Sequence, residues 1–215
     1  MFMDLSACLS YIAGRGRPRI LSSVGVFALE GFLSGFAAAN ASVRGHVALT
    51  TAQFHGPEQA NACLRAYLET GDEELALERV IAAFFVVDGL SGAARAGDGH
   101  LVLNTGPDIS VSCDFVDLVR LPIQNGHSAM VLGEPTVVRL GDFASGFVHG
   151  LSALIPESGK TAQQRLANFE LGLQARFGYD APWYGLIRAF WGNSDTGLRK
   201  FVELWDAYSS PPASR

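Results

Sequence analysis

Residues 20–36 read ILSSVGVFALEGFLSGF, and residues 131–147 read VLGEPTVVRLGDFASGF. The two stretches align without a gap, 111 positions apart, and seven of 17 positions are identical: Leu21/Leu132, Val26/Val137, Leu29/Leu140, Phe32/Phe143, Ser34/Ser145, Gly35/Gly146 and Phe36/Phe147. Upstream, Leu5, Cys8 and Ile12 face Val116, Val119 and Ile123 at the same separation. Spacings of three and four place these apolar residues on one face of a helix. Self-similarity held at one separation points to a repeated unit.

A second match follows in the same order. LRAYLETGD (64–72) resembles IRAFWGNSD (187–195), now 123 positions apart, because the later copy carries about a dozen more residues around SGKTAQQRLANFELG. Each match leads into an apolar helical run, ELALERVIAAFFVVD or GLRKFVELWDAY. The expected fold class is mainly α: two tandem helical repeats, the first over 1–95 and the second over 115–215. Long helices are expected at about 26–39 and 136–150, with Asp72 and Asp195 as N-caps of the last helix in each copy. Between the copies, residues 96–114 read as a linker. There LVLN and ISVSC flank Thr105-Gly106-Pro107-Asp108, the pattern of a short β-hairpin near the middle of the chain, which keeps α+β open.

Composition excludes several classes. Apolar residues make up 48% and charged residues 17%, with a mean hydropathy of +0.20, too apolar for disorder. A net charge of −5 argues against nucleic-acid binding, which needs a basic face. The run Val24 to Ala39 contains Glu30 and falls short of the roughly 20 apolar residues a membrane span requires. Asp4 comes before the basic residues of the first 19, the reverse of a secretory signal, so a cytoplasmic location without membrane attachment is expected. Three cysteines, Cys8, Cys63 and Cys113, show no C-x-x-C spacing and read as free thiols.

No motif here carries chemistry. Arg15-Gly16-Arg17-Pro18 spells an AT-hook core, but it lies between apolar helical segments, where glycine ends a helix and Pro18 blocks its return. Gly31-x-x-x-Gly35 reads as close packing between helices. His46, His55, His100, His127 and His149 have no metal-ligand spacing. Cys63 falls in an apolar helical pattern with Leu64, Tyr67 and Leu68 and reads as a core thiol. No catalytic residue, metal site or cofactor is therefore assigned. The aromatic run Trp183, Tyr184, Phe190, Trp191, Phe201, Trp205 and Tyr208 reads first as core, with an exposed subset available to a partner. Trp191 and Tyr184 are the expected anchors. Glu73 and Glu74, in an acidic helix start, are the expected steering charges for a basic partner.

The pattern R-P-x-I-L-x-S followed by L-x-x-F-x-x-G-F, Arg17 to Phe36, resembles a bacterial family with R-P-x-M-Y-L-G and L-x-x-F-x-x-G-Y. The family's closing pattern of Trp, Ile or Leu, Phe, Leu and an aromatic is met by Trp183, Ile187, Phe201, Leu204 and Tyr208. The first copy keeps the Arg-Pro, and the second keeps Leu132-Gly133. Members look like small cytoplasmic immunity or accessory proteins encoded beside polymorphic toxins. The resemblance implies a non-enzymatic immunity protein whose partner is a cognate protein toxin, neutralised by occlusion. The alternative is a small-molecule-binding protein or enzyme with its site between the two repeats. The oligomeric state stays open.

Overall fold

The computed structural model describes residues 5–16, 20–22, 25–43, 62–94 and 114–209. The described residues are mainly helical and contain no strand. The expected hairpin at 101–113, and with it nearly all of the 96–114 linker, lies outside them.

Helix α1 (Leu5–Tyr11) runs into a π-helical turn, Ile12–Gly16, with non-helical backbone at Gly14. Then come α2 (Val26–Val43), α3 (Ala62–Thr70) and α4 (Glu73–Ala94). The second half holds α5 (Phe115–Gln124), a single turn α6 (Ala129–Leu132), α7 (Val137–Leu154), α8 (Pro156–Phe177), α9 (Trp183–Trp191) and α10 (Asp195–Tyr208). Local chemistry fixes several starts. The Asp72 carboxylate accepts from the Glu74 and Leu75 N–H groups at 2.9 Å each, capping α4 as expected. Asp114 does the same for α5 through the Val116 N–H (3.0 Å), and the Thr136 hydroxyl accepts from the Arg139 N–H on α7 (3.2 Å). At α10 the expectation is off by one: Ser194 holds the cap position without a side-chain bond, and Asp195 is the first helical residue. There its carboxylate still meets the positive end of the helix dipole.

Helices α2 and α7 form the centre of the fold and pack more extensively on each other than any other pair. A Cβ on Gly31 would stand 2.8 Å from that of Asp142. One on Gly35 would meet the Phe143 carbonyl oxygen, and one on Gly150 would stand 3.0 Å from the Cβ of Ala39. Contacts thus advance together along both helices, so the two run parallel. Their small residues repeat every four positions, Gly31, Gly35 and Ala39 against Gly146 and Gly150, which lets the backbones approach closely.

Two apolar clusters flank this pair. The smaller joins Leu9, Ile12, Leu29, Phe32, Leu77 and Ile81. The larger centres on Phe115, Phe169, Trp183, Phe201 and Trp205, whose ring centroids lie 5.0–5.9 Å apart in the contacting pairs. Phe32, Phe36, Phe143 and Phe147 are all buried. Each such side chain contributes roughly 1.5–3 kcal/mol. The halves are not equal: α8 wraps α7 in the second half, and the described residues of the first half contain no counterpart to it.

Candidate functional site

The close α2–α7 contact encloses a polar seam near its N-terminal end. Gly31 leaves room for it: a Cβ there would lie 2.7 Å from the Arg139 Cδ. Arg139 is buried and donates through Nη2 to the Glu30 carboxylate (3.0 Å), while its Nη1 is enclosed without a hydrogen-bond partner. One turn on, Asp142 accepts from the Ser22 N–H (2.7 Å) and the Ser22 hydroxyl (2.9 Å). Ser145 donates to the Ile20 carbonyl (2.7 Å). Helix α7 therefore grips residues 20–22 through both an acceptor and a donor.

The electrostatics follow from burial. Desolvation pushes the Asp142 carboxyl up to about 6, although the Ser22 bonds and Arg139 oppose the rise. Tyr184 lies with its ring over Gly141 and is also raised, by its own burial and then by Asp142 and Glu170. Cys63 is pushed up to about 12, first by burial and then by the charge of Glu30, with Arg139 pulling the other way. A thiol held that high stays protonated at neutral pH. The His149 ring contacts the Ser145 carbonyl (2.8 Å) and lies 5.7 Å from the Phe32 ring, which makes it part of the packing. His127 is exposed, whereas His46, His55, His100 and Cys113 lie outside the described residues. Among the described residues no three potential ligands gather around a point.

A second feature lies on the surface. Helix α8 ends at Phe177, and Gly178 takes a left-handed conformation (φ 74°) that turns the chain and separates Phe177 from Tyr179. Helix α9 buries Trp183, Leu186 and Ile187, one face at helical spacing, and Phe190 continues that face in the last turn, where it is partly open to solvent. Phe190 stacks on Phe177 with centroids 4.4 Å apart, and Tyr179 closes on Phe190 at 6.2 Å. Trp191 packs edge-on against Phe177 at 5.4 Å. Tyr179 is 62% exposed and Phe190 47%. Four aromatic rings thus form one partly open face, edged by Arg176 and Lys200. The Arg176 guanidinium lies 5.5 Å from the Phe177 ring and the Lys200 ammonium 5.6 Å from the Trp191 ring.

The expected site residues divide between these places. Trp191 belongs to the aromatic face, half-buried. Tyr184 turns inward to α7, beside the seam. Glu73 and Glu74 are exposed on α4, which packs on α2 and α3, whereas α9 packs on α7, α8 and α10. Trp191 and Tyr184 thus lie on α9, and Glu73 and Glu74 at the start of α4. The fold instead adds Phe177, Tyr179 and Phe190 to Trp191. Phe190 shares the helical phase of Trp183, Leu186 and Ile187, so the sequence pattern alone reads it as core and its exposure was not legible. The approach of Phe177 to it depends on the α8–α9 turn.

An open cavity of about 410 Å³ lies between α5 and α10, lined by Arg120, Gln124, Arg199, Val202, Glu203 and Asp206. Arg120 donates to both oxygens of Asp206 (2.9 and 2.7 Å), which closes this charge pair on itself. No helix of the described residues is long and apolar enough to cross a membrane. The molecule is defined so far as a helical protein with a buried polar seam and one aromatic face. No family model, curated protein or solved structure matches the chain.

Proposed function

We propose that this chain is an immunity-type binding protein that neutralises a cognate bacterial toxin by covering it. The observation that supports this reading is the open aromatic face of Phe177, Tyr179, Phe190 and Trp191. Large, stiff rings with a polar rim are the usual anchors of protein interfaces. The sequence resemblance at Arg17–Phe36 supplies the class of partner. Occlusion requires no reacting group, in keeping with the protonated Cys63 and the packed His149.

We also infer that the two halves descend from one duplicated unit. In support, α2 and α7 have bounds 111 positions apart at both ends, the separation of the sequence match. Their tightest contacts are reciprocal: Gly35 against the Phe143 carbonyl, and Gly146 against the Phe32 carbonyl.

A second reading, small-molecule binding between the halves, is favoured by the unpartnered Arg139 Nη1 in the seam. The two are separated by growth protection. The chain is co-expressed in bacteria with the product of the adjacent gene. Protection that disappears in Phe190→Ala/Trp191→Ala, but persists in Arg139→Gln, supports the binding reading. Protection by neither wild type nor variants removes it.

A further inference from the structure

We propose that Asp142 and Ser22 form a proton-coupled latch, which holds residues 20–22 on α7 while the carboxyl is protonated and loosens them as the proton is lost. The latch needs nothing from the protein-binding reading. It follows from a buried carboxyl with few partners. Asp142 is 2% exposed. Among the described residues its carboxyl meets Ser22 alone, accepting from the N–H at 2.7 Å and from the hydroxyl at 2.9 Å.

The charges around it are engaged elsewhere. Arg139, one turn back on α7, gives Nη2 to Glu30 of α2 and leaves Nη1 without a partner, so it does not touch the carboxyl. Tyr184 of α9, its ring over Gly141, is held neutral first by its own burial. Glu170 of α8 accepts from the Trp183 N–H. Arg165 of α8 pairs with Asp114 beside α5, Arg120 of α5 with Asp206 of α10, and Lys200 with Glu203 within α10. A carboxylate enclosed in this way is costly, and the neutral acid is favoured.

Ser22 suits both states. Its hydroxyl donates to a carboxylate and, by turning, accepts from a carboxylic acid, while its N–H donates to the other oxygen in either case. The closed strap therefore accommodates the proton. Lifting residues 20–22 replaces both serine donors by water, in which a carboxyl is ionised above about pH 4. Closing thus takes up a proton. Ser22 is only half-buried, so water lies close to the latch. Ser145, which donates to the Ile20 carbonyl, does not titrate and supplies a grip that pH leaves unchanged.

Burial pushes the enclosed Asp142 carboxyl from 3.8 up to about 6, in agreement with this geometry. The closed strap is therefore favoured below that window and loosens as pH rises through it. From about pH 5 to about pH 7.5 the open fraction should grow about tenfold.

Hydrogen exchange followed by NMR on the full ¹⁵N-labelled chain reads the latch at the Ser22 amide itself. The Phe147 amide, in the middle of α7, is the reference for global unfolding. Corrected for the intrinsic rate, Ser22 is expected to exchange faster than Phe147 and to gain about tenfold over that pH range. Asp142→Asn should abolish the gain. Ser22→Ala keeps the N–H but deletes the hydroxyl, which favours the ionised form, so the gain should become larger and extend to higher pH. If Asp142→Asn does not fold, the carboxyl-carbon titration of Asp142 in the wild type decides: a midpoint near 6 supports the latch, and one near the ordinary value overturns it. The latch is also overturned if Ser22 opens locally without pH dependence, or if Asp142→Asn keeps that dependence. Exchange at Ser22 as slow as at Phe147 overturns it too, because the proton then belongs to global unfolding.

Discussion

Replacing Gly146 or Gly35 by alanine should separate the two central helices. At each site the new methyl would meet a backbone carbonyl oxygen of the facing helix, Phe32 for Gly146 and Phe143 for Gly35. No rotamer change removes a backbone atom, so the helices have to move apart along the whole parallel contact. Overpacking costs about 1–3 kcal/mol, and a backbone obstacle belongs at the upper end, about 3. Alanine returns about 1 kcal/mol through its better helix propensity. The net loss is about 2 kcal/mol, which for a chain of this size lowers Tm by roughly 4–8 °C. Gly185 on α9 is the control: a Cβ there meets nothing nearer than the Pro182 Cδ at 4.0 Å. Gly185→Ala should raise stability by up to about 1 kcal/mol. Thermal unfolding followed by circular dichroism compares the three. If Gly146→Ala is as harmless as Gly185→Ala, the parallel close contact is wrong. If Gly35→Ala and Gly146→Ala differ widely, the reciprocity behind the duplication argument fails.

Asp142 should make stability depend on pH. Its folded value, about 6, lies above the ordinary 3.8, so the folded state holds the extra proton between those values and stability falls as pH rises through that window, by at most about 3 kcal/mol. Urea titrations of wild type and Asp142→Asn at several pH values isolate this contribution, and equal slopes would refute it. Cys63 should resist iodoacetamide at pH 8 in the folded chain, since burial holds it as a thiol; rapid labelling would mean that the seam opens. Trp205→Ala should cost about 3–5 kcal/mol, while Tyr179→Ala, at a largely exposed ring, should stay within about 1; similar losses would show that the aromatic face belongs to the core. Asp72→Ala should destabilise by about 1 kcal/mol and Asp195→Ala by less, because only Asp72 makes cap bonds.

The long helices were legible because Phe32, Gly35 and Phe36 recur at Phe143, Gly146 and Phe147 in helical register, and glycine opposite a bulky ring implies a close partner. The direction of the pairing was not legible, since one motif suits parallel and antiparallel contact alike. Asp195 was misplaced by one position because Ser194 competes for the same cap and local sequence does not decide between them. The packing of Tyr184 was not legible: the ring is half-buried against Gly141, a contact made across more than 40 residues of chain. The polar seam was invisible for the same reason. Glu30, Arg139 and Ser22 meet only because the two halves pack together. Trp191 was placed correctly in an aromatic concentration, but the open members of that face depend on the turn at Gly178.

Titration calorimetry of the purified chain with the purified product of its adjacent gene tests the central claim most directly. The account expects tight one-to-one binding, weakened roughly 30-fold or more by Phe190→Ala, about 2 kcal/mol, and unchanged by Glu73→Lys/Glu74→Lys. No binding, or binding that ignores Phe190 and Trp191, would contradict it.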